Sequence, residues 1–359
     1  MILSRYVVPD LKINFIDREQ EYKHILELTN IETSWIYVLT GPWGCGKTEF
    51  ARALTATASN DTYVIIYINV TEEELSKAFY PTCERISKVL YNLVKEVFKD
   101  LLKLPLSIYT LVTYVEKVIK LKGKILLIII DEITKSLEKY RLSIRDYVAA
   151  LSKKIYDIER TFNCKTYVLI LTSDQSASEF FDREQGKNMS MLLMWNLNKS
   201  AMIELLDKVN CPIDLELIWH LTGGNPREIC MLMIYYKWNI EEWLKFKIET
   251  CREVYIKARD LGQVNVLKSL LDNIDEISSY SPELDDVPKY KIINVLYKLN
   301  ILIRVDDRFR KISSLYKCYW VGSRRAFQEP VYYWIFHTML KHGLNVEPYI
   351  VVKTIRELT

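Results

Sequence analysis

Apolar residues recur along the chain with two different periods, and the change from one to the other divides it. Between residues 35 and 197, short unbroken apolar runs at 36–40, 63–70, 125–130, 166–172 and 191–197 alternate with longer stretches of helical period. Runs this short, with no polar alternation, suit strands buried on both faces, and helices between them imply a parallel sheet covered on both sides. The pattern predicts an α/β fold built on a five-stranded parallel sheet. Residues 71–121 read as mostly helical, broken at Pro81 and Pro105, and 136–162 as one helix. Residues 1–34 form an approach segment ending in a helix. Asp17 reads as its N-cap, Gln20 completes a capping box, and Tyr22, Ile25, Leu26 and Thr29 share one face.

After residue 197 the period is helical throughout. Residues 198–260 read as a helical segment interrupted by the turn Thr222-Gly-Gly-Asn-Pro-Arg-Glu228. In residues 261–325, Val264, Leu267, Leu270 and Leu271 mark one helix, and Ile292, Val295, Leu296 and Leu299 another. Residues 301–305 and 309–313 flank Asp306-Asp307-Arg308 as a hairpin. Helix, helix, hairpin predicts a winged helix-turn-helix. The tail, 326–359, is rich in aromatic residues (Phe327, Tyr332, Tyr333, Trp334, Phe336) and is expected to pack back on the winged helix as core.

Composition adds bounds. A chain of 359 residues, 49% hydrophobic, has room for two or three domains. No apolar run nears the roughly 18 residues of a membrane span, and the first residues lack a charged start followed by an apolar stretch. A cytoplasmic protein with no membrane partner is expected. Seven cysteines without C-x-x-C spacing argue against a disulfide framework and a zinc site. The net charge of +3 is unevenly spread: residues 289–325 hold ten Lys and Arg against two Asp. Lys289, Lys291 and Lys298 would lie on or beside a helix face opposite the apolar one, with Arg308, Arg310 and Lys311 on the wing. That arrangement suits a grip on double-stranded DNA. It equally suits a solvated face, or one that docks on acidic protein surface such as residues 272–286.

The chemistry lies first in residues 41–48, Gly-Pro-Trp-Gly-Cys-Gly-Lys-Thr, between an apolar strand and the helical stretch 49–58. They fit G-x-x-x-x-G-K-[ST] at every specified position. Gly41, Pro42, Trp43, Gly44, Cys45, Gly46, Lys47, Thr48 and Glu49 would wrap phosphate oxygens in backbone N–H groups at a helix N-terminus. Lys47 would reach the outer phosphates, and the Thr48 hydroxyl would bind Mg²⁺. Cys45 reads as a small filler. The run 125–130 delivers Asp131 and Glu132 at its C-terminal tip, where parallel sheets bind ligands. Asp131 is placed to hold the metal, and Glu132 to orient or deprotonate a water. Ser173, after the fourth strand, could sense a phosphate or simply bond its own turn.

With these motifs in place the chain resembles the archaeal members of the AAA+/STAND branch of P-loop ATPases, from about Phe15 to near residue 320. Phe15, Arg18, Glu19 and Glu21 match a box that in that family helps enclose the nucleotide base. Gly223, Gly224 and Pro226 match its G-G-x-P motif, which closes a helical lid on the nucleotide. Arg227 resembles the lid arginine directed at the γ-phosphate, and Arg183, between the fourth strand and the fifth, matches the place of an arginine supplied by a neighbouring subunit, or else pairs with Glu179 or Glu184. The resemblance implies an ASCE-type core at 35–197, a lid at 198–260 and ATP with Mg²⁺ as cofactors. It implies an ATP-binding and hydrolysing switch whose output is binding of DNA or protein, monomeric with ADP and able to oligomerise with ATP. The chain is also similar to archaeal origin-recognition-type initiators, in Tyr6, Val7, Val8 and Pro9 and in the expected winged helix. It departs from them at Ser173, where they carry Asn, and in Gly-Gly-Asn-Pro, where they carry Gly-Asp-Ala. A nucleotide-gated scaffold with negligible hydrolysis is the third reading.

Overall fold

The computed structural model describes residues 2–30, 34–58, 62–69, 79–81, 104–133, 144–172, 189–276 and 291–359. The chain divides into two compact units. The first comprises Met1–Thr40, Lys47–Met194 and Arg310–Ser313. Strands β1 (Val7–Val8) and β2 (Ile13–Asn14) pair antiparallel near its start, and its centre is a sheet with strands β3 (Trp35–Thr40), β4 (Tyr63–Asn69), β5 (Phe79–Pro81), β6 (Ile125–Asp131), β7 (Lys165–Leu171), β8 (Met189–Leu193) and β10 (Arg310–Lys311), in the order β10-β8-β3-β7-β6-β4-β5. All neighbours are parallel except β5, which pairs antiparallel with β4. Thus β7 separates the strand that leads into the glycine loop from the strand that ends in Asp131. Val38, Leu39, Ile66, Ile128, Ile129, Val168 and Ile170 are wholly buried, as expected of strands covered on both faces. Helix α2 (Lys47–Thr57) packs on β4 and β5. Helix α4 (Ile144–Phe162) packs on β7 and β3 and against α3 (Leu104–Val118).

The five parallel strands expected from the sequence are six. The addition is β10, whose Arg310 and Lys311 lie beside Leu192 and Leu193 of β8, continued by Ile312 N–H donating to Leu193 O at 3.0 Å. The expected hairpin of 301–305 with 309–313 therefore does not form. Strand β9 (Leu302–Arg304) pairs antiparallel with β11 (Arg325–Phe327) instead. The turn is real: Arg308 N–H donates to Asp306 Oδ1 at 3.1 Å. It returns the chain to a different sheet.

The first helix, α1 (Glu19–Leu28), is also entered differently. Asp17 and Arg18 both take positive φ, 61° and 72°, and Arg18, not Asp17, is the capping residue, with no side-chain cap. Buried Arg18 instead donates through Nη1 to Glu21 Oε1 at 2.8 Å, and Ser313 Oγ donates to the same oxygen at 2.6 Å.

The second unit comprises Gly41–Gly46, Trp195–Phe309 and Ser314–Thr359. It holds helices α5 (Lys199–Lys208), α6 (Leu215–Thr222), α7 (Pro226–Ile234), α8 (Ile240–Asp260), α9 (Val264–Asp272), α10 (Lys291–Lys298), α11 (Pro330–His342) and α12 (Pro348–Leu358), with β9 and β11. Four helices begin on an Asn or Asp that caps the first turn: Asn198, Asp214, Asn225 and Asn239. Long α8 packs against α11 and α12. The aromatic tail supplies core through Trp334, Ile335 and Phe336, all at most 2% exposed. Among the described residues no helix is long and apolar enough to cross a membrane.

Candidate functional site

Strand β3 ends at Thr40, and α2 begins at Lys47, so the six residues between them carry the chain from sheet edge to helix start. Cys45 N–H donates to Pro42 O at 3.1 Å, closing a tight turn, and Cys45 is fully buried, in keeping with a filler. Gly44 and Gly46 take φ of 84° and 98°, which a side chain would resist. Lys47, at the helix start, is 5% exposed. In the same first turn the Glu49 carboxylate accepts from Arg52 Nη1 at 2.7 Å and Tyr6 OH at 3.0 Å, which leaves its backbone as the part suited to a ligand.

Within the first unit, the predicted metal-holding residues meet. Thr48 Oγ1 donates to Asp131 Oδ2 at 2.8 Å, across 83 residues of sequence. Tyr67 OH donates to the same oxygen at 2.9 Å, and Glu132 N–H to Oδ1 at 2.9 Å. Burial pushes the Asp131 carboxyl up from its ordinary value, and the Thr48 and Tyr67 hydroxyls oppose that by stabilising the anion. The Tyr67 phenol is raised by burial and by Asp131 beside it. Glu132 follows with φ of 59°, a backbone state few non-glycine residues adopt. Tyr67 was missed by sequence reasoning. Its signal was a hydroxylated residue two before Asn69, and so on the same face of the strand, with Asn69 beside Asp131 in the sheet.

Within the second unit, the glycine loop meets the Gly-Gly-Asn-Pro turn. Asn225 Nδ2 donates to Trp43 O at 2.9 Å, and the Arg227 guanidinium stacks 3.9 Å from the centre of the Trp43 ring. Arg227 N–H reaches Gly44 O at 3.4 Å. A Cβ on Gly44 would lie 2.5 Å from Arg227 Cβ, and one on Gly46 would lie 3.7 Å from Pro226 Cγ. So Pro226 and Arg227 adjoin the loop. From the other side, Trp43 N–H donates to Gln328 Oε1 at 2.7 Å. Nothing in the sequence around Gln328 marked it.

The remaining candidates are dispersed. Ser173, Arg183 and Lys289 lie outside the described residues. Lys291 and Lys298 are exposed on α10. Arg308 is held by Asp306, Nε to Oδ1 at 2.9 Å and Nη2 to Oδ2 at 2.7 Å. Exposed Arg310 and half-buried Lys311 belong to the first unit, not to a wing. Arg304 and Arg325, counted in the basic segment, are 4% and 5% exposed around Tyr297. The basic segment is thus divided between the two units and in part buried.

A glycine loop opening onto a helix, with a Thr–Asp pair at the C-terminal edge of a parallel sheet, defines a P-loop nucleotide-binding protein. Comparison then gives the family: residues 15–232, more than half of the chain, match the ATPase domain predominantly from Archaea. The chain belongs to that family, which bears out the resemblance to archaeal P-loop ATPases. It is 25% identical to an uncharacterized ATP-binding protein of Methanocaldococcus jannaschii, over 82% of this chain and 89% of that one. Among solved structures it is similar to the Aeropyrum pernix ORC2 protein in its ADPNP–ADP complexes: TM-score 0.47, 14% identity, 98% of this chain and 95% of that one. It is also similar to the S. cerevisiae Hsp104–ADP complex: TM-score 0.34, 11% identity, 80% and 38%.

Proposed function

We propose that the chain is an ATP-binding and hydrolysing switch that uses Mg²⁺. The observation that carries this is the 2.8 Å bond from Thr48 Oγ1 to Asp131 Oδ2. It brings a hydroxyl and a carboxylate together one residue past Lys47, a pair of hard oxygen donors that fits Mg²⁺. The N-terminus of α2 and the glycine loop suit the phosphates. Bound Mg²⁺-ATP would supply the electrophilic phosphoryl group and its charge-neutralising cation. Lys47 would hold the outer phosphates, Thr48 and Asp131 the cation, and Glu132 would orient a water. Arg18, paired with Glu21, would support the loop that encloses the base. Pro226 and Arg227 support a lid role for α5–α8.

The test is direct. Lys47→Ala is expected to lose nucleotide binding, and Glu132→Gln to bind ATP but turn it over at least a hundredfold more slowly. Wild-type turnover in Glu132→Gln would remove Glu132 from the reaction. Wild-type binding in Lys47→Ala would overturn the reading.

For the output we put a protein partner ahead of duplex DNA, because Arg304 and Arg325 are buried and Arg310 and Lys311 sit in a sheet edge. A phosphate grip by Lys291 and Lys298 would give duplex affinity falling steeply with salt, and each Lys→Ala change would flatten that slope by about one unit. Such a slope would restore the DNA reading.

A further inference from the structure

Trp43 of the glycine loop is engaged by chain distant in sequence at three points. Its N–H goes to Gln328 Oε1, its C=O takes Asn225 Nδ2, and its ring takes Arg227. Gln328 is 1% exposed, and Asn225 wholly buried. Both residues make further bonds. Asn225 Oδ1 caps α7, accepting from Arg227 N–H at 3.1 Å and Glu228 N–H at 3.3 Å. Gln328 N–H donates to Ile301 O at 3.0 Å, and Gln328 O accepts from Asn196 Nδ2 at 3.0 Å. The Asn225 amide cannot leave Trp43 without uncapping α7, and the main chain of Gln328 is held in place just before α11.

Among the described residues Gln328 Nε2 is buried with no hydrogen-bond partner. A buried amide satisfied at one end only is costly to keep. Its other end is spent on Trp43, so that bond is the use the side chain has. Next to these amides, Glu228 and Glu329 both bind Lys247, at 3.1 and 2.7 Å. The starts of α7 and α11 are therefore joined twice, through Lys247 and through the Trp43 peptide.

We propose that Gln328 and Asn225 are positioning residues for the phosphate-binding loop. By gripping the Trp43 peptide from its N–H and its C=O they fix the loop's shape, so that nucleotide affinity depends on the packing of α7 and α11. This rests on the nucleotide reading of the loop. It adds a C-terminal residue, Gln328, outside the family match at 15–232. Linkage makes the effect reciprocal: nucleotide in the loop stabilises the junction of α7 with α11.

The test uses the full chain, a fluorescent ADP analogue, and hydrogen–deuterium exchange without nucleotide. Gln328→Met keeps side-chain length and removes the acceptor. Asn225→Asp keeps the capping oxygen and removes the donor. Each is expected to weaken analogue binding roughly tenfold and to speed exchange at residues 41–46, with exchange in α8 unchanged. Analogue binding within twofold of wild type in both clamp variants, with unchanged exchange at 41–46, overturns the proposal. Faster exchange throughout α8 and α11 also overturns it, since it marks a general structural role. Should the wild type fail to bind the analogue, the nucleotide reading falls, and exchange at 41–46 still decides whether the amides hold the loop.

Discussion

Replacing Lys247 with Met tests what holds the second unit together. Lys247 Nζ lies 2.7 Å from Glu329 Oε2, 3.1 Å from Glu228 Oε1 and 3.4 Å from Tyr332 OH, three acceptors for three ammonium donors. All three charged side chains are at most 7% exposed, and Trp243 Nε1 donates to Glu228 Oε2 at 2.8 Å. Burial alone would lower the ammonium's pKa, but Glu329, Tyr332 and Glu228 outweigh it and hold Lys247 well above its ordinary value. Met fills the aliphatic volume and leaves two carboxylates buried without a cation. Breaking a buried pair in this way costs about 3–5 kcal/mol. For a domain of roughly 150–250 residues that lowers Tm by about 6–20 °C. Glu329→Gln removes one of two negative charges, keeps an acceptor for Lys247, and should cost less than about 1 kcal/mol. Burial pushes Glu329 up to about 7, with Lys247 opposing and Glu228 assisting. A carboxylate raised on folding contributes stability below its unfolded value that is lost as pH rises through the folded one. Wild-type stability relative to Glu329→Gln should therefore decline between pH 5 and 8. Thermal melts followed by circular dichroism read all three quantities. If Lys247→Met melts within about 3 °C of wild type, or Glu329→Gln falls as far as Lys247→Met, the triad is not what joins α7, α8 and α11.

Gly44→Ala should destabilise the protein by about 1–3 kcal/mol, through its φ of 84° and the 2.5 Å approach of Arg227 Cβ. Adding Arg227→Gly should recover part of that loss and adding Arg227→Ala none, because alanine keeps the Cβ; denaturant melts of the double variants decide it. His220, whose Nδ1 lies 2.6 Å from Tyr319 OH among Trp320 and Trp334, has its pKa lowered first by burial. The neutral form is favoured on folding, so its contribution is full above the free value near 6.5 and is lost as pH falls below it. Replacing His220 with Gln should flatten the Tm profile between pH 5 and 7, and an unchanged slope would contradict the assignment.

How much of this was legible in the sequence follows from how local each cause is. Strands β3, β4, β6, β7 and β8 were readable because a strand buried on both faces must be apolar at every position. Gly41 to Thr48 and Asp131 were readable because strand, glycine loop and helix follow one another at fixed short spacing and an acid ends β6, where Thr48 bonds it. Strand β10 was not, since two residues have no period and its partner lies near residue 192. The basic segment misled because a linear count cannot separate exposed Lys291 from Arg304 and Arg325, whose guanidinium groups sit around Tyr297. Asp17 was read as a cap from the capping-box spacing to Gln20, but with Asp17 and Arg18 both at positive φ the chain enters α1 one residue later, with Arg18 at the cap position.

The glycine loop itself shows where a motif stops explaining its own residues. Gly44 occupies a position the phosphate-loop pattern leaves free, so the pattern gives no reason for glycine there. Its conformation is one reason, and the other is tertiary: Arg227 comes within contact of its Cα side, in the same turn whose Asn225 holds the Trp43 carbonyl. Two motifs some 180 residues apart are thus residue-matched to one another. A substitution in either one changes the backbone that the other must pack against. Trp43 extends that match to Gln328, whose residue type no local rule requires. The loop's phosphate chemistry is written in its sequence; its shape is held by amides that only the folded chain brings to it.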